Sequence, residues 1–383
     1  MSSKSLILCL LAPLVAGFNL SVPAPTGPFA VGTTVLEITD YSRLDPFAPT
    51  PQPRKLAVSL FYPTDRVPIN TTSCQKSNQC TRAVQLPPHT AAAIETQAGV
   101  PTGILHSIIT QACQDAPVTQ PLRPLLLFNP GRGASRLIYS DSLIEIASYG
   151  FTLASVDHPY ESSVVEYPDG SVVYGLQLDD SLSTILKLID IRAADLRSVL
   201  NAFSNSTVTD KIPGYGPLTK FKTDKVGVFG HSLGGATALQ VMANDTRFAA
   251  GLNVDGSFWG AEQQIGTEAP FMVVAAEGHN RTSDESWAAT WPNLRGFKRE
   301  ATVKGTEHNS FTDTGLFVEM LEELGGGVPV NITIPIGTIK GTRITALQRA
   351  LLTSFFKRTL DGENDGLLDG AAAEEWPEVS FQQ

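Results

Sequence analysis

A serine between two glycines follows one apolar run and precedes another in residues 228–239, VFGHSLGGATAL. Residues 230–234 read Gly-His-Ser-Leu-Gly and match G-x-S-x-G, which forms a nucleophile elbow when a strand enters it and a helix leaves it. The glycines leave room for a very tight turn, so Ser232 can present its hydroxyl above the sheet. Ser232 is therefore predicted to be a catalytic nucleophile.

A serine hydroxyl needs a base to take its proton, and the base is expected downstream of such an elbow. The chain has six histidines, of which the following are predicted to have structural or surface roles: His89, His106, His158, His231 and His279. His279 is expected to face solvent, because it lies beside a glycosylation sequon. His308, in KGTEHNSFTD, follows the last predicted strand, and its loop can reach over the sheet edge. His308 is the predicted base.

The acid that orients this histidine has three candidates. Asp255 closes the strand that directly follows the serine's own strand and helix. Glu277 closes the next strand, where many α/β-hydrolases carry their acid, and Asp284 lies a little further along. Spacing alone does not decide whether Asp255 or Glu277 is the acid.

These side chains need a scaffold of alternating strands and helices. Predicted strands cover RPLLLFN, FTLASVDH, KVGVFG, FAAGLNVDG, PFMVVAAEG and FKREATV, and helical patterns separate or follow them. Continuous apolar runs are typical of strands buried on both faces, and this alternation predicts a mostly parallel sheet with helices on both sides. With the elbow, the pattern predicts an α/β-hydrolase fold.

The chain is expected to form one such domain over residues 18–360. Its first strands, VGTTVLEITD and KLAVSLFYPT, predict an antiparallel portion, and a Pro-Asp-Gly turn in VVEYPDGSVVYG predicts a hairpin. Residues 63–121 are predicted to be an insertion or cap with some helix around Ala91 to Gln97. Residues 361–383 are expected to form an acidic tail on the surface.

The first residues, MSSKSLILCLLAPLVAGFNL, combine a lysine, an apolar run and two small residues. This pattern is typical of a secretory signal peptide, here residues 1–17, and the run is too short to span a bilayer. Sequons of the form Asn-x-Ser/Thr lie at Asn19, Asn70, Asn205, Asn244, Asn280 and Asn331. The sequence therefore predicts a secreted, N-glycosylated protein.

Three cysteines follow the predicted leader: Cys74, Cys80 and Cys113. They permit one disulfide and leave one thiol over, and the sequence does not choose the pair. No histidine cluster or further cysteine pair accompanies them, so no metal ion is expected. Acyl transfer to a serine needs no organic cofactor either, and none is expected.

Composition and net charge limit the classes of ligand and partner that the protein is expected to bind. Apolar residues make up 42% of the chain and charged residues 17%, values of a globular protein. The net charge of −10 has no compensating basic block, which argues against nucleic-acid binding and favours a neutral or zwitterionic substrate. No later apolar run is long enough for a membrane span, so at most a transient contact with a lipid surface is expected.

Four stretches together resemble the plasma-type platelet-activating factor acetylhydrolases, the 1-alkyl-2-acetylglycerophosphocholine esterases, and their secreted fungal relatives. The stretches are FGHSLGGAT, NVDGSFWG, KGTEHNSFTD and FNPGRGASRLIYSDSLIEIASYGFTLASVDHPYESS. The resemblance covers residues 55 to 360. In that family the acid follows the strand after the nucleophile, so the resemblance implies Asp255 rather than Glu277.

The resemblance also implies acyl transfer to serine, without a cofactor. His308 would take the proton of Ser232, and Asp255 would hold the imidazole in the required tautomer. The backbone N–H groups of Leu233 and Arg132 would receive the developing oxyanion. In this family the ester is the short acyl group at position 2 of a phospholipid.

Two departures from the family concern specificity. The loop at residues 129–133 reads Asn-Pro-Gly-Arg-Gly, with Asn-Pro where the family often has Ser-His, and the insertion is more like the fungal branch. Phe258 and Trp259 either line an acyl pocket or belong to the core. Tyr160 either approaches the head group or lies on a solvated rim.

Two other functions remain open from the sequence. A broad carboxylesterase, lipase or cutinase-like polyester hydrolase would use the same residues, and only its substrates would distinguish it. A catalytically inactive hydrolase fold could act as a secreted binding protein, although the intact serine, acid and histidine in the expected order argue against this.

Overall fold

One mixed β-sheet organises the chain. The computed structural model describes residues 20–68, 79–119, 123–323, 334–371 and 373–382. The predicted signal peptide, Cys74 and the sequons at Asn19, Asn70 and Asn331 lie outside these described residues. The strands are β1 (Leu20–Ser21), β2 (Ala30–Leu44), β3 (Pro53–Thr64), β4 (Val67–Pro68), β5 (Gln79–Cys80), β6 (Arg82–Val84), β7 (Ile108–Gln114), β8 (Leu125–Asn129), β9 (Thr152–Asp157), β10 (Val164–Glu166), β11 (Val172–Tyr174), β12 (Val226–His231), β13 (Phe248–Val254), β14 (Phe271–Ala276), β15 (Lys298–Val303) and β16 (Val379–Gln382).

Helices connect most of these strands. They are α1 (Pro88–Ala98), α2 (Ser140–Ala147), α3 (Leu182–Ala202), α4 (Ser206–Thr209), α5 (Leu233–Asn244), α6 (Glu262–Ile265), α7 (Glu285–Thr290), α8 (Thr314–Glu323) and α9 (Gly341–Phe356). None of the helices in the described part of the chain combines the length and the apolar content that a membrane span requires.

The strand order confirms the predicted fold class. Within the described residues the main sheet runs β1-β7-β2-β3-β9-β8-β12-β13-β14-β15-β16, and β6 pairs with β7. The strands from β9 to β15 form a parallel block, while β3 and β16 run antiparallel to the strands beside them. In a parallel block the carboxyl ends of the strands meet at one edge, where α/β proteins build their sites.

Alternate residues of β8 show why helices cover both faces. Leu125 and Leu127 are buried in one apolar cluster with residues of α3 and α5. Leu126 and Phe128 are buried in another with residues of α2 and α9. Because side chains of a strand alternate between faces, a strand that is apolar throughout needs cover on both sides.

The insertion contributes to the sheet as well as to a cap. Its predicted helix is present as α1, whereas β7 was not predicted and pairs with β1, β2 and β6. A disulfide joins Cys80 to Cys113, with their Cα atoms 5.5 Å apart. This resolves the pairing that the sequence left open, and it ties β5 to β7.

The C-terminal segment is more than a surface tail. Leu367, Leu368 and Trp376 are buried in the cluster that also holds α9. β16 then pairs antiparallel with β15 and extends the sheet. Most described residues of the segment are exposed, as expected of a surface tail, but the prediction missed the apolar residues that anchor it and the strand that it adds.

Candidate active site

Ser232 lies in a tight turn between β12 and α5. Its backbone has φ 55° and ψ −124°, a region that costs a residue with a side chain about 1–3 kcal/mol. A Cβ atom on Gly230 would lie 2.4 Å from the Gly234 carbonyl, and one on Gly234 would lie 2.0 Å from the Asn129 carbonyl oxygen. Both positions need glycine, so the turn has the geometry of a nucleophile elbow.

A second left-handed residue, Asp255, follows β13. It has φ 56°, and its N–H donates to the Val274 carbonyl oxygen at 2.7 Å. A Cβ atom on the next residue, Gly256, would lie 2.0 Å from the carbonyl oxygen of Ser232. The turn that carries the predicted acid is therefore packed directly against the elbow.

His308 begins a 3₁₀ turn, His308–Phe311, shortly after β15. Its Nδ1 lies 2.6 Å from Oδ2 of Asp255. An ionised carboxylate only accepts hydrogen bonds, so Nδ1 carries a proton and Nε2 of neutral His308 keeps a lone pair. The His308 side chain is 44% exposed against 3% for Asp255. The predicted base is thus oriented by a buried acid and is itself partly exposed.

His231 ties the His308 turn to the elbow. Its Nε2 donates to the carbonyl oxygen of His308 at 2.9 Å, and its Nδ1 lies 2.9 Å from the hydroxyl of Tyr139. The rings of His231 and His308 are 4.5 Å apart between centroids. Burial, with the nearby His308, lowers the pKa of His231 to about 3, so this ring is neutral. Its packing role beside the elbow is the one predicted.

The loop at residues 129–133 passes beside the elbow. A Cβ atom on Gly131 would lie 3.6 Å from Cβ of Ser232. Within the described ranges, the backbone N–H groups of Arg132 and Leu233 donate to no other residue. Unpaired N–H groups beside a nucleophile can donate hydrogen bonds to a substrate carbonyl oxygen and stabilise the negative charge that develops on it.

A buried guanidinium supports this loop. Arg192 of α3 donates to Oδ1 of Asn129 at 2.8 Å and to the carbonyl oxygens of Pro130 at 2.7 Å and Gly131 at 3.1 Å. Its charge is balanced by Glu161, whose carboxylate lies 2.6 Å from Nε and 2.5 Å from Nη2. The sequence prediction missed both residues. A charged residue on the apolar face of α3 was the signal that could have found Arg192.

His158 extends the same buried network. Its Nε2 lies 2.9 Å from Oδ1 of Asn129, and its Nδ1 lies 2.8 Å from Asp195. Arg54 binds the same Asp195 carboxylate at 2.8 Å. His158 is 1% exposed, so it has the structural role that was predicted for it.

An apolar cavity of about 380 Å³ is lined in part by Arg132 and Gly133 of the loop at residues 129–133, the predicted oxyanion loop. One wall is the segment from Arg132 to Ile138. The insertion supplies a second wall through α1, including Ala98, and α8 supplies a third, including Phe317. The cavity is large enough to hold an apolar group of a ligand bound beside Arg132.

The residues predicted to bind substrate lie in three different places. Phe258 is 2% exposed and packs on Phe271, so of the two predicted alternatives the core placement is the one found and it does not line an acyl pocket. Trp259 is partly buried against the cluster that contains Leu233, close to the elbow. Tyr160 bonds to Gln52 at 3.0 Å and lines a separate cavity, which is not the one at Arg132.

His279 was predicted to face solvent, and this prediction was wrong. Its side chain is only 22% exposed, and its Nδ1 lies 2.7 Å from Oδ1 of Asp255. Glu277, the alternative acid, instead accepts the N–H of Gly305 at 2.7 Å. Hydrogen bonds from His279 and His308 outweigh the effect of burial and hold the pKa of Asp255 below its ordinary value.

The comparison with solved structures gives the class of the protein. A ferulic acid esterase from Streptomyces cinnamoneus matches with a TM-score of 0.77 and 31% identity, over 96% of this chain and 100% of that chain. With the parallel sheet and its elbow, this likeness places the chain among the carboxylic ester hydrolases of the α/β-hydrolase fold.

The family follows from the sequence comparisons. The family model described as "Platelet-activating factor acetylhydrolase, isoform II" matches residues 16–172 and 218–324, more than half of the chain. The chain therefore belongs to the platelet-activating factor acetylhydrolase family. A probable 1-alkyl-2-acetylglycerophosphocholine esterase from Arthroderma benhamiae is 28% identical over 94% of this chain and 93% of its own length. The platelet-activating factor acetylhydrolase of Canis lupus familiaris is 24% identical over 69% and 66%.

Proposed function

We propose that this chain is a secreted serine esterase that hydrolyses the sn-2 acetyl group of platelet-activating-factor-like phospholipids through an acyl-enzyme on Ser232. The hydrogen bond between Asp255 and His308, beside the elbow of Ser232, carries the proposal. It orients a base whose turn is hydrogen-bonded to His231, the residue before Ser232, and Ser232 has the tight-turn conformation that α/β-hydrolases use.

In the first half-reaction Oγ of Ser232 attacks the ester carbonyl carbon while Nε2 of His308 takes the hydroxyl proton. Asp255 stabilises the imidazolium that forms. The N–H groups of Leu233 and Arg132 bind the carbonyl oxygen as it becomes negative, and each such donor lowers the barrier by about 3 kcal/mol.

The tetrahedral intermediate then collapses. The bond to the alcohol breaks, His308 gives its proton to the leaving oxygen, and the acyl group remains on Ser232. A water molecule loses a proton to His308 and attacks the acyl carbon. The carboxylic acid leaves, and the proton returns from His308 to Ser232.

Two observations favour a lipid-like ester as the substrate. The family and the relative from Arthroderma benhamiae carry the names of enzymes that act on acetylated ether phospholipids. The apolar cavity beside Arg132 is large enough for an alkyl or acyl chain of the substrate, and Arg132 and Gly133 of the proposed oxyanion loop are among its lining residues.

A second candidate is hydrolysis of aromatic acid esters. The ferulic acid esterase that matches this chain supports it, since the likeness extends over nearly the whole length of both proteins. An aromatic ring would fit the same apolar cavity. Broad carboxylesterase, lipase or polyester hydrolase activity uses the same mechanism and differs only in the substrate.

Export is part of the proposal. The leader-like N-terminus and the sequons support it, and Asn205 and Asn244 are both exposed and accessible to glycosylation. The Cys80–Cys113 disulfide also supports it, because disulfides persist in oxidising compartments.

A substrate series on the purified protein tests the proposal. An acetylated ether phospholipid, a long-acyl phospholipid, a feruloyl ester, a triglyceride and a polyester film are compared by kcat/KM. We expect the acetylated phospholipid to rank first, and a higher value for the feruloyl ester would favour the second candidate. Ser232→Ala is expected to abolish turnover and labelling by a fluorophosphonate probe, with Ser171→Ala as the control. Turnover that survives Ser232→Ala would reject the mechanism.

A further inference from the structure

His279 binds the same carboxylate as His308, from the opposite side. Its Nδ1 lies 2.7 Å from Oδ1 of Asp255, whereas His308 binds Oδ2. Its Nε2 lies 3.0 Å from Oδ2 of Asp284, the residue that caps α7. The four side chains therefore form a continuous chain from Asp284 through His279 and Asp255 to His308.

The contacts of His279 define its protonation state. Both ring nitrogens face carboxylate oxygens, which only accept hydrogen bonds, so both nitrogens must carry protons. The titratable groups that face the ring within the described residues are Asp255 and Asp284, with His308 beyond Asp255. Despite burial, the hydrogen bonds with Asp255 and Asp284 raise the pKa of His279 to about 9. The imidazolium is thus charged at neutral pH.

The surroundings of His279 hold the ring in place. It packs on Trp287 with ring centroids 4.2 Å apart, and Trp287 is 2% exposed. The indole nitrogen of Trp287 donates to the carbonyl oxygen of Gly256 at 2.8 Å, in the same turn as Asp255. A cation on an aromatic face is itself favourable.

Two neighbours besides His308 hold the carboxylate of Asp255. The residue is left-handed, and its carboxylate must present Oδ2 to His308. The Ala276 N–H at 2.7 Å and His279 together occupy Oδ1. With Oδ1 bound on two sides, rotation of the carboxylate away from His308 would break both of these hydrogen bonds.

We propose that His279 is a positioning residue for catalysis. It is a fixed imidazolium that orients the Asp255 carboxylate towards His308 and partly neutralises the negative charge of that carboxylate. This inference rests on the proposed serine esterase function. It predicts two separable effects. Loss of the hydrogen bond should lower kcat. Loss of the positive charge should leave the negative charge of Asp255 less compensated, so that His308 is stabilised more strongly in its protonated form.

The experiment compares His279→Ala, which removes the hydrogen bond and the charge, with His279→Asn, whose amide can donate from the position of Nδ1 but is neutral. His89→Gln replaces an exposed histidine of the insertion and serves as the control. Each variant is measured for kcat and KM on p-nitrophenyl acetate from pH 4.5 to about 9, a range that spans histidine titration. Urea unfolding establishes that each variant is folded.

We expect kcat of His279→Ala to fall by about 10²-fold with little change in KM, the size of effect that a misplaced catalytic group causes. The kcat of His279→Asn should be at least about tenfold higher than that of His279→Ala. In both variants the acid limb of the kcat profile should move to higher pH by about 0.5 unit or more, because a nearby positive charge is gone.

A purely structural role would lower stability and leave the acid limb in place. An unchanged kcat in folded His279→Ala, or an unchanged acid limb in folded His279→Asn, would overturn the inference, and the acid limb of His279→Asn decides the matter if His279→Ala does not fold. The Ser232→Ala variant is assayed in parallel. Its activity reports on the proposed function alone, so failure of one proposal is distinguishable from failure of the other.

Discussion

Oδ2 of Asp255 lies 2.6 Å from Nδ1 of His308, although 53 positions separate the two residues in the sequence. The contact forms because Asp255 ends a central strand of the parallel block and His308 follows a strand two places away in the sheet. Glu277 ends the strand between them, yet its carboxylate binds the Gly305 N–H instead. The geometry thus distinguishes two acids that spacing leaves equivalent.

The first prediction concerns the choice of acid. Asp255→Asn should lower kcat on p-nitrophenyl acetate by about 10³–10⁴-fold, because an amide favours the wrong tautomer of His308. Glu277→Gln is the matched comparison and should cost less than about tenfold, since its carboxylate binds the Gly305 N–H and Nδ1 of His308 is bound by Asp255. The opposite order would assign the acid to Glu277.

The second prediction concerns the support of the oxyanion loop. Arg192→Met leaves the Glu161 carboxylate buried without its partner, which should lower the free energy of unfolding by about 3–5 kcal/mol. It also frees the carbonyls of Pro130 and Gly131, so kcat should fall by up to about 10²-fold. Urea unfolding and steady-state kinetics measure the two effects.

Adding Glu161→Gln to Arg192→Met removes the unpaired charge and should restore part of the lost stability but not kcat. Arg197→Met, on a less buried position of the same helix, is the control. Equal losses of stability in the single and the double variant would contradict the role of the ion pair.

The third prediction concerns the apolar cavity. Ala98→Trp places an indole in the cavity from the end of α1 and should lower kcat/KM for a substrate with a long alkyl or aromatic group by about tenfold or more. Hydrolysis of p-nitrophenyl acetate should change little. Ala92→Trp, at an exposed position of the same helix, is the matched control. If both substrates lose activity equally, the cavity does not determine specificity.

The fourth prediction concerns stability against pH. Because the pKa of His279 rises from 6.5 to about 9 on folding, its contribution is complete below pH 6.5 and is lost as the pH rises through 9. The free energy of unfolding should therefore decline between these values. In His279→Asn the decline should be smaller, which urea titrations at pH 6, 7, 8 and about 9 can measure. Parallel curves for the two proteins would show that His279 carries no charge.

Much of the fold was predictable because its signals are local. The glycines around Ser232 and the strand that precedes them predict the elbow, because such a tight turn limits which residue types fit within it. The continuous apolar runs of the central strands likewise predict that these strands are buried on both faces of the sheet. β7 was missed because its pairing with β1 and β2 is long-range, and β16 was missed because acidic composition concealed the anchoring role of Trp376.

The sequence by itself determined the α/β-hydrolase class and the family, because both depend on short patterns of residue types, and it predicted Ser232 and His308 as nucleophile and base. The choice of Asp255 over Glu277 came from the family resemblance and not from the spacing of residues. Only the tertiary structure decided which groups touch these residues. It moved Phe258 into the core and brought His279 onto Asp255 and Arg192 under the oxyanion loop. The physical reason is that a side chain's protonation and orientation depend on neighbours from distant parts of the chain, which burial brings within hydrogen-bonding distance.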